Sequence, residues 1–160
     1  MVDVERAAST VSFQAEPLAS CWDEAVPLMK ANHAESGALS DYMFAPALEK
    51  LRRLEECGFL RLFTARRLGK LIGYQLFVVL FGINYPDNLE ATCHVAYMLP
   101  GNRGFTAGKF LLWADAQLFR EGVYSIARQS TVKHPLAGVY SKMGYRKVEE
   151  NWVIEYGGDA

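Results

Sequence analysis

Cysteine is scarce in this chain of 160 residues: the three present, Cys21, Cys57 and Cys93, are far apart and odd in number. That excludes a disulfide framework and offers no zinc-ligand spacing, so reduced thiols and no bound metal are expected. Long hydrophobic runs are also missing. The longest, Leu76 to Phe81, is far below the roughly 20 residues a membrane-spanning helix needs. The opening Met-Val-Asp-Val-Glu-Arg-Ala-Ala carries acidic residues and no apolar core, which argues against a secretory signal and for a cytoplasmic protein. Neither sign of charge dominates, with 17 Lys and Arg against 18 Asp and Glu and a formal net charge of −1. Gripping nucleic acid or an anionic membrane by charge requires neutralising many phosphates, and this balance argues against both. A small anionic ligand remains open. Repeats, linkers and low-complexity tracts are absent as well, so residues 1–160 read as one domain.

What is present suffices for a core: 51% of residues are hydrophobic and 22% charged, an ordinary globular balance. Val11 to Ala15 alternates as a short strand. Pro17 and Ser20 introduce a helix from about Cys21 to Ala34, in which Pro27 predicts a kink or two shorter pieces. Asn32-His33-Ala34-Glu35-Ser36-Gly37 breaks the period and reads as a loop over a cleft. A second helix, about Pro46 to Glu56, sets Leu48, Leu51 and Leu54 on one face and ends at Gly58. Phe59 to Ala65 and Leu71 to Phe81 are strands joined by a short Gly-containing turn, hence an antiparallel hairpin. The second of them is apolar on both faces at its end and should lie centrally in a sheet. After a turn cluster at Asn84 to Asn88 comes a strand from Glu90 to Leu99. A helix from about Thr106 to Glu121 then turns Phe110, Leu111, Ala114 and Leu118 toward the sheet. A strand Val123 to Ala127, a short helix Pro135 to Met143 and a closing strand Tyr145 to Tyr156 complete the chain. This order predicts an α/β (α+β) fold, a mixed and largely antiparallel sheet of six or seven strands with helices on both faces.

The most informative stretch runs from Met98 to Leu112, Met-Leu-Pro-Gly-Asn-Arg-Gly-Phe-Thr-Ala-Gly-Lys-Phe-Leu-Leu. A strand is cut off by Pro100-Gly101, and a basic, glycine-flanked turn opens directly into a helix. The first turn of a helix has backbone N–H groups without intrahelical partners and the positive end of the macrodipole, so it suits an anion. Gly104 and Gly108 keep side chains out of the way of that anion, while Arg103 and Lys109 add charge at the rim. A P-loop nucleotide site is ranked last, because Phe110 follows Lys109 where Ser or Thr is needed.

These residues resemble the acetyl-CoA loop of the GCN5-related N-acetyltransferases (GNAT), Arg-Gly-x-Gly-x-Gly after a strand ending near Pro. Arg103, Gly104 and Gly108 match, and Thr106 stands in place of the middle glycine. Tyr140-Ser141-Lys142-Met143-Gly144-Tyr145 is similar to the family's Tyr-x-Lys-x-Gly-Phe or Tyr. The phrasing around Asn84-Tyr85 and Glu90-Ala91-Thr92 also looks like that of small phage-encoded members. The resemblance implies a V-shaped opening between the strands flanking the main helix and acetyl-CoA as co-substrate. It implies cofactor contacts from the backbone at Met98 and Leu99 and from Arg103, Gly104, Phe105, Thr106, Ala107, Gly108 and Lys109. It further implies transfer of acetyl to an amine of a small molecule or protein, with Tyr140 protonating the departing thiolate, in a monomer or homodimer.

Such a transfer also needs a way to remove the amine proton. By the period of two, Glu90, Thr92 and His94 share one face of the strand before the loop. His94, whose ordinary pKa suits proton exchange near neutrality, Glu90, and a base acting through water are all candidates. His134 and the aromatic residues Tyr42, Phe44 and Tyr85 are candidates for acceptor contacts. The alternative reading is a protein that keeps the fold but acts by docking on a partner protein.

Overall fold

The computed structural model describes residues 10–36 and 44–154, so Tyr42 and Tyr156 lie outside the described residues. Its elements are β1 (Val11–Ala15), α1 (Leu18–Ser36), α2 (Leu48–Glu56), β2 (Leu60–Arg67), β3 (Lys70–Phe81) and β4 (Leu89–Met98). A 3₁₀ turn at Pro100–Asn102 then leads into α3 (Phe105–Arg120), β5 (Val123–Arg128) and α4 (Ala137–Lys142). The strands form one sheet in the order β1-β2-β3-β4-β5. Its first three pairings are antiparallel, and β4 with β5 is parallel. A parallel neighbour cannot be reached by a tight turn, and α3 is the crossover that supplies it.

As expected, β3 is central and helices cover both faces. On one side Phe110, Leu111, Ala114 and Leu118 of α3 are buried, all but Leu111 within a core that includes Phe63, Phe77, Val79 and Ala91. On the other, Leu18, Cys21, Ala25, Leu28 and Met29 of α1 recur at helical spacing and pack on Leu62, Leu71, Tyr74 and Tyr97.

Three expectations are corrected. α1 is one helix of 19 residues that contains Pro27 and runs to Ser36, so residues 32–36 are helical rather than a loop. Burial of its apolar face from Leu18 to Met29, on both sides of Pro27, holds the helix through the proline. The sheet has five strands among the described residues, because residues 145–154 form none. Val148, Trp152, Val153 and Ile154 are all more than 70% exposed; Glu149-Glu150-Asn151 interrupts the alternation that would give one buried face.

The third correction concerns β4. Its register to β3 passes from Leu76↔Val95 to Phe77↔Cys93, which leaves His94 as the extra residue of a bulge. One extra residue reverses the faces. Ala91 and Cys93 therefore lie in the core under α3, whereas beyond the bulge Val95 and Tyr97 lie on the α1 side. The alternation that would align His94 with Glu90 and Thr92 stops there.

Candidate active site

Pairing of β5 with β4 ends at Cys93↔Arg128, while β4 continues to Met98. Beyond Cys93 the alternate backbone groups of β4 that would meet β5 face an opening instead. A cleft of about 290 Å³ lies there, walled by β4 from Cys93 to Met98, by the end of α1, by Ala107, Phe110 and Leu111 of α3, and by Gln129, His134 and Tyr140.

One end of the cleft is the start of α3. Gly104 is its N-cap at φ 80° and ψ −127°, a conformation that disfavours any side chain, and no side chain caps the helix. The N–H of Gly108 donates to Gly104 O at 3.0 Å, which closes the first helical turn. The donors left for an anion are thus those at Phe105, Thr106 and Ala107. Gly108 still presents open space, with nothing within 4 Å of a Cβ built there. Thr106 lies inside the helix and is not its cap. Lys109 Nζ sits 4.4 Å from the ring centroid of the exposed Phe105.

Arg103 does not point to that rim. Its Nη2 donates to Glu35 Oε2 at 2.6 Å and its Nε to Met98 O at 2.8 Å, and its guanidinium lies 5.5 Å from the centroid of the Tyr97 ring. Tyr97 donates its hydroxyl to Glu35 Oε1 at 2.8 Å. Arg103 first, then Tyr97, holds the Glu35 carboxyl below its ordinary value. His134 Nε2 is 3.1 Å from the Glu35 carbonyl oxygen. Glu35, His134 and Arg103 thus meet across the cleft because α1 extends further than its sequence period suggests. Leu99 donates its N–H to Ile72 O at 2.9 Å, so that donor serves the β3–β4 ladder and is not open to a cofactor.

Of the base candidates, His94 is exposed and lines the cleft. Glu90 is not a wall residue. Its carboxylate covers Gly82, where a Cβ would come within 2.8 Å of Oε1, at the opposite end of β4. Phe44 packs against the α1-side core, and Tyr85 is 63% exposed in the β3–β4 turn.

Tyr140 lies in the opposite wall, 7% exposed, and donates its hydroxyl to Gln129 O at 3.2 Å. Burial raises its phenol pKa above the ordinary value, so the proton is held at neutral pH. Beneath it Arg128, with a fully buried side chain, pairs with Asp115 Oδ1 at 2.6 Å. Sequence reasoning missed both residues. Their only signal was a charge at the end of a strand and another on the sheet-facing side of a helix. Cys93 is buried beside them, and that burial pushes its thiol up to about 11, which makes it inert as a nucleophile.

No family model matches the chain, and no curated protein sequence is similar to it. Among solved structures it is similar to a transcriptional regulator from Bacillus halodurans C-125, with TM-score 0.74 and 13% identity over 92% of this chain and 100% of the other. An aminoglycoside acetyltransferase from an uncultured soil metagenomic sample gives TM-score 0.73 and 16% identity, covering 92% and 99%. A predicted acetyltransferase with acetyl-CoA from Clostridium acetobutylicum gives TM-score 0.69 and 12% identity, covering 91% and 96%. At these identities the likeness concerns the fold. With the parted β4 and β5 and the uncapped start of α3, it establishes that this chain has the fold of the GCN5-related N-acetyltransferases.

Proposed function

We propose that the protein is an acetyl-CoA-dependent N-acetyltransferase whose acceptor is an amine of a small molecule or a protein. The observation that carries this reading is the uncapped N-terminus of α3 behind Gly104, which opens on the cleft between β4 and β5 with the Tyr140 hydroxyl in the facing wall. Phe105, Thr106 and Ala107 would hold the pyrophosphate by backbone N–H groups, as the macrodipole favours. The open backbone of β4 beyond Cys93 suits the amide-containing arm of the cofactor. When bound, acetyl-CoA supplies the activated acyl group.

In the proposed reaction the amine nitrogen attacks the thioester carbonyl, forming the C–N bond, and the C–S bond breaks with its electron pair leaving on sulfur. Tyr140 gives its O–H proton to that sulfur. The amine proton passes to solvent directly or through His94, and the Tyr140 oxygen is reprotonated from solvent. No proton or electron is left unaccounted for.

The test is native mass spectrometry of the full chain with acetyl-CoA, followed by an amine and peptide panel read by appearance of free thiol. A cofactor adduct and acceptor-dependent thiol release are expected. An adduct with no release on any acceptor would favour the reading as a partner-binding protein, a use compatible with the likeness to a transcriptional regulator; absence of the adduct would end the acetyltransferase reading.

A further inference from the structure

The Arg128 side chain is 0% exposed, and each of its five N–H groups has an acceptor. Nε donates to the Tyr145 hydroxyl at 3.0 Å, Nη1 to Gln75 Oε1 at 2.9 Å and to Cys93 Sγ at 3.5 Å. Nη2 donates to Asp115 Oδ1 at 2.6 Å and to Leu111 O at 3.4 Å. Tyr145 donates onward to Asp115 Oδ2 at 2.9 Å, and Gln75 Nε2 to Phe110 O at 2.9 Å. The partners come from β3, β4, α3 and the turn that follows α4, so one guanidinium ties together elements that wall the cleft. A buried ion pair of this kind is a poor device for stability alone, since apolar packing of equal volume would serve as well or better.

We propose that Arg128 is a positioning residue for the transfer reaction, holding a fixed cation beneath Tyr140 so that the oxyanion left by proton donation forms against it. This rests on the reading of Tyr140 as the proton donor. The geometry links the two through Tyr145. The Tyr145 N–H donates to Tyr140 O at 2.9 Å, the rings of Tyr140 and Tyr145 are 5.7 Å apart, and Tyr145 is bonded to both Arg128 and Asp115.

The groups that face Tyr140 are Arg128 of β5, Cys93 of β4, Asp115 of α3 and Tyr145 after α4, with His94 and His134 lining the same cleft. Burial raises the phenol pKa most, Arg128 acts against it, and Cys93 and Asp115 add to it. A neutral phenol is thereby kept at rest, while the charge that appears when its proton leaves for sulfur is opposite in sign to that of Arg128.

The experiment uses the full-length protein labelled with 3-fluorotyrosine, whose phenol titrates lower than that of tyrosine, with the Tyr140 fluorine resonance assigned from Tyr140→Phe. Asp115→Asn removes the opposing charge and should move the Tyr140 titration down by about one pH unit, whereas Arg128→Gln should move it up by a similar amount. In acetyl transfer the alkaline limb of kcat should follow each shift, with KM nearly unchanged. A merely structural role would lower the melting temperature of both variants without shifting the titration in opposite directions. If Arg128→Gln does not fold, the direction in Asp115→Asn decides. An unmoved or rising titration in folded Asp115→Asn overturns the proposal and leaves the donor reading intact. Wild-type turnover in Tyr140→Phe overturns the donor reading, and the proposal with it, whatever the titrations show.

Discussion

Tyr140 spends its hydroxyl on the Gln129 carbonyl in the resting protein, so Tyr140→Phe loses one neutral hydrogen bond, worth about 1 kcal/mol. The ring and its packing stay. Thermal unfolding should shift modestly and cofactor affinity hardly at all, while turnover falls by roughly ten- to a thousandfold in a thiol-release assay. The two base candidates separate at the same scale. Glu90 is folded over Gly82 away from the cleft, so Glu90→Gln should keep the wild-type pH profile of kcat/KM. His94→Ala should lower it by about a hundredfold. Equal profiles for all three proteins would leave water as the base. That Glu90 and His94 have such different surroundings was not legible in the period of two, because a single unpaired residue in β4 breaks the alternation.

At the scale of the element, α3 combines two demands that pull apart at Gly108. A Cβ there meets nothing within 4 Å and the residue is inside the helix, so Gly108→Ala should stabilise the protein by about 0.5–1 kcal/mol in denaturant unfolding. Gly108→Glu should also fold. By placing a carboxylate in the first turns, close to the proposed pyrophosphate position, it should weaken acetyl-CoA binding at least tenfold by calorimetry, and less so at high salt. Unchanged affinity in the folded Glu variant would remove the anion site from α3. The helix itself, its four buried apolar residues and its glycine-flanked entry were readable from the chain, because they are local. Which N–H groups stay free was not, since that depends on where the first turn closes.

Across the whole molecule the β1–β2–α1 corner is held by Arg66, which bonds Glu16 Oε1 at 2.9 Å and Oε2 at 3.1 Å and also reaches Glu24. Burial works to raise the Glu16 pKa, but hydrogen bonds from Arg66, Thr64 and Gln14 and the Arg66 charge outweigh it and leave the pKa below the ordinary 4.5. A carboxyl depressed in the folded state stabilises fully above its unfolded value and loses that contribution as pH falls through the folded one. Wild-type stability should therefore drop below about pH 4.5 with a slope that Glu16→Gln reduces. Urea midpoints measured from pH 3 to 7 on both proteins check this, and parallel curves would show that Glu16 plays no part.

The chain by itself determined the order of its elements as far as α4, the central place of β3, the buried face of α3 and the glycine-flanked entry to α3 at Gly104. Each follows from interactions within a few residues: apolar period, turn chemistry and the unpaired N–H groups of a helix start. It also carried Tyr140 as a candidate through its motif. Only the tertiary structure decided that β4 outruns β5 to make the cleft and that α1 continues through Pro27 to deliver Glu35 to Arg103. The same holds for Arg128 and Asp115, 13 positions apart, which become one buried pair. These depend on strand register and on burial against partners distant in sequence, and neither quantity is contained in a local pattern of residue types.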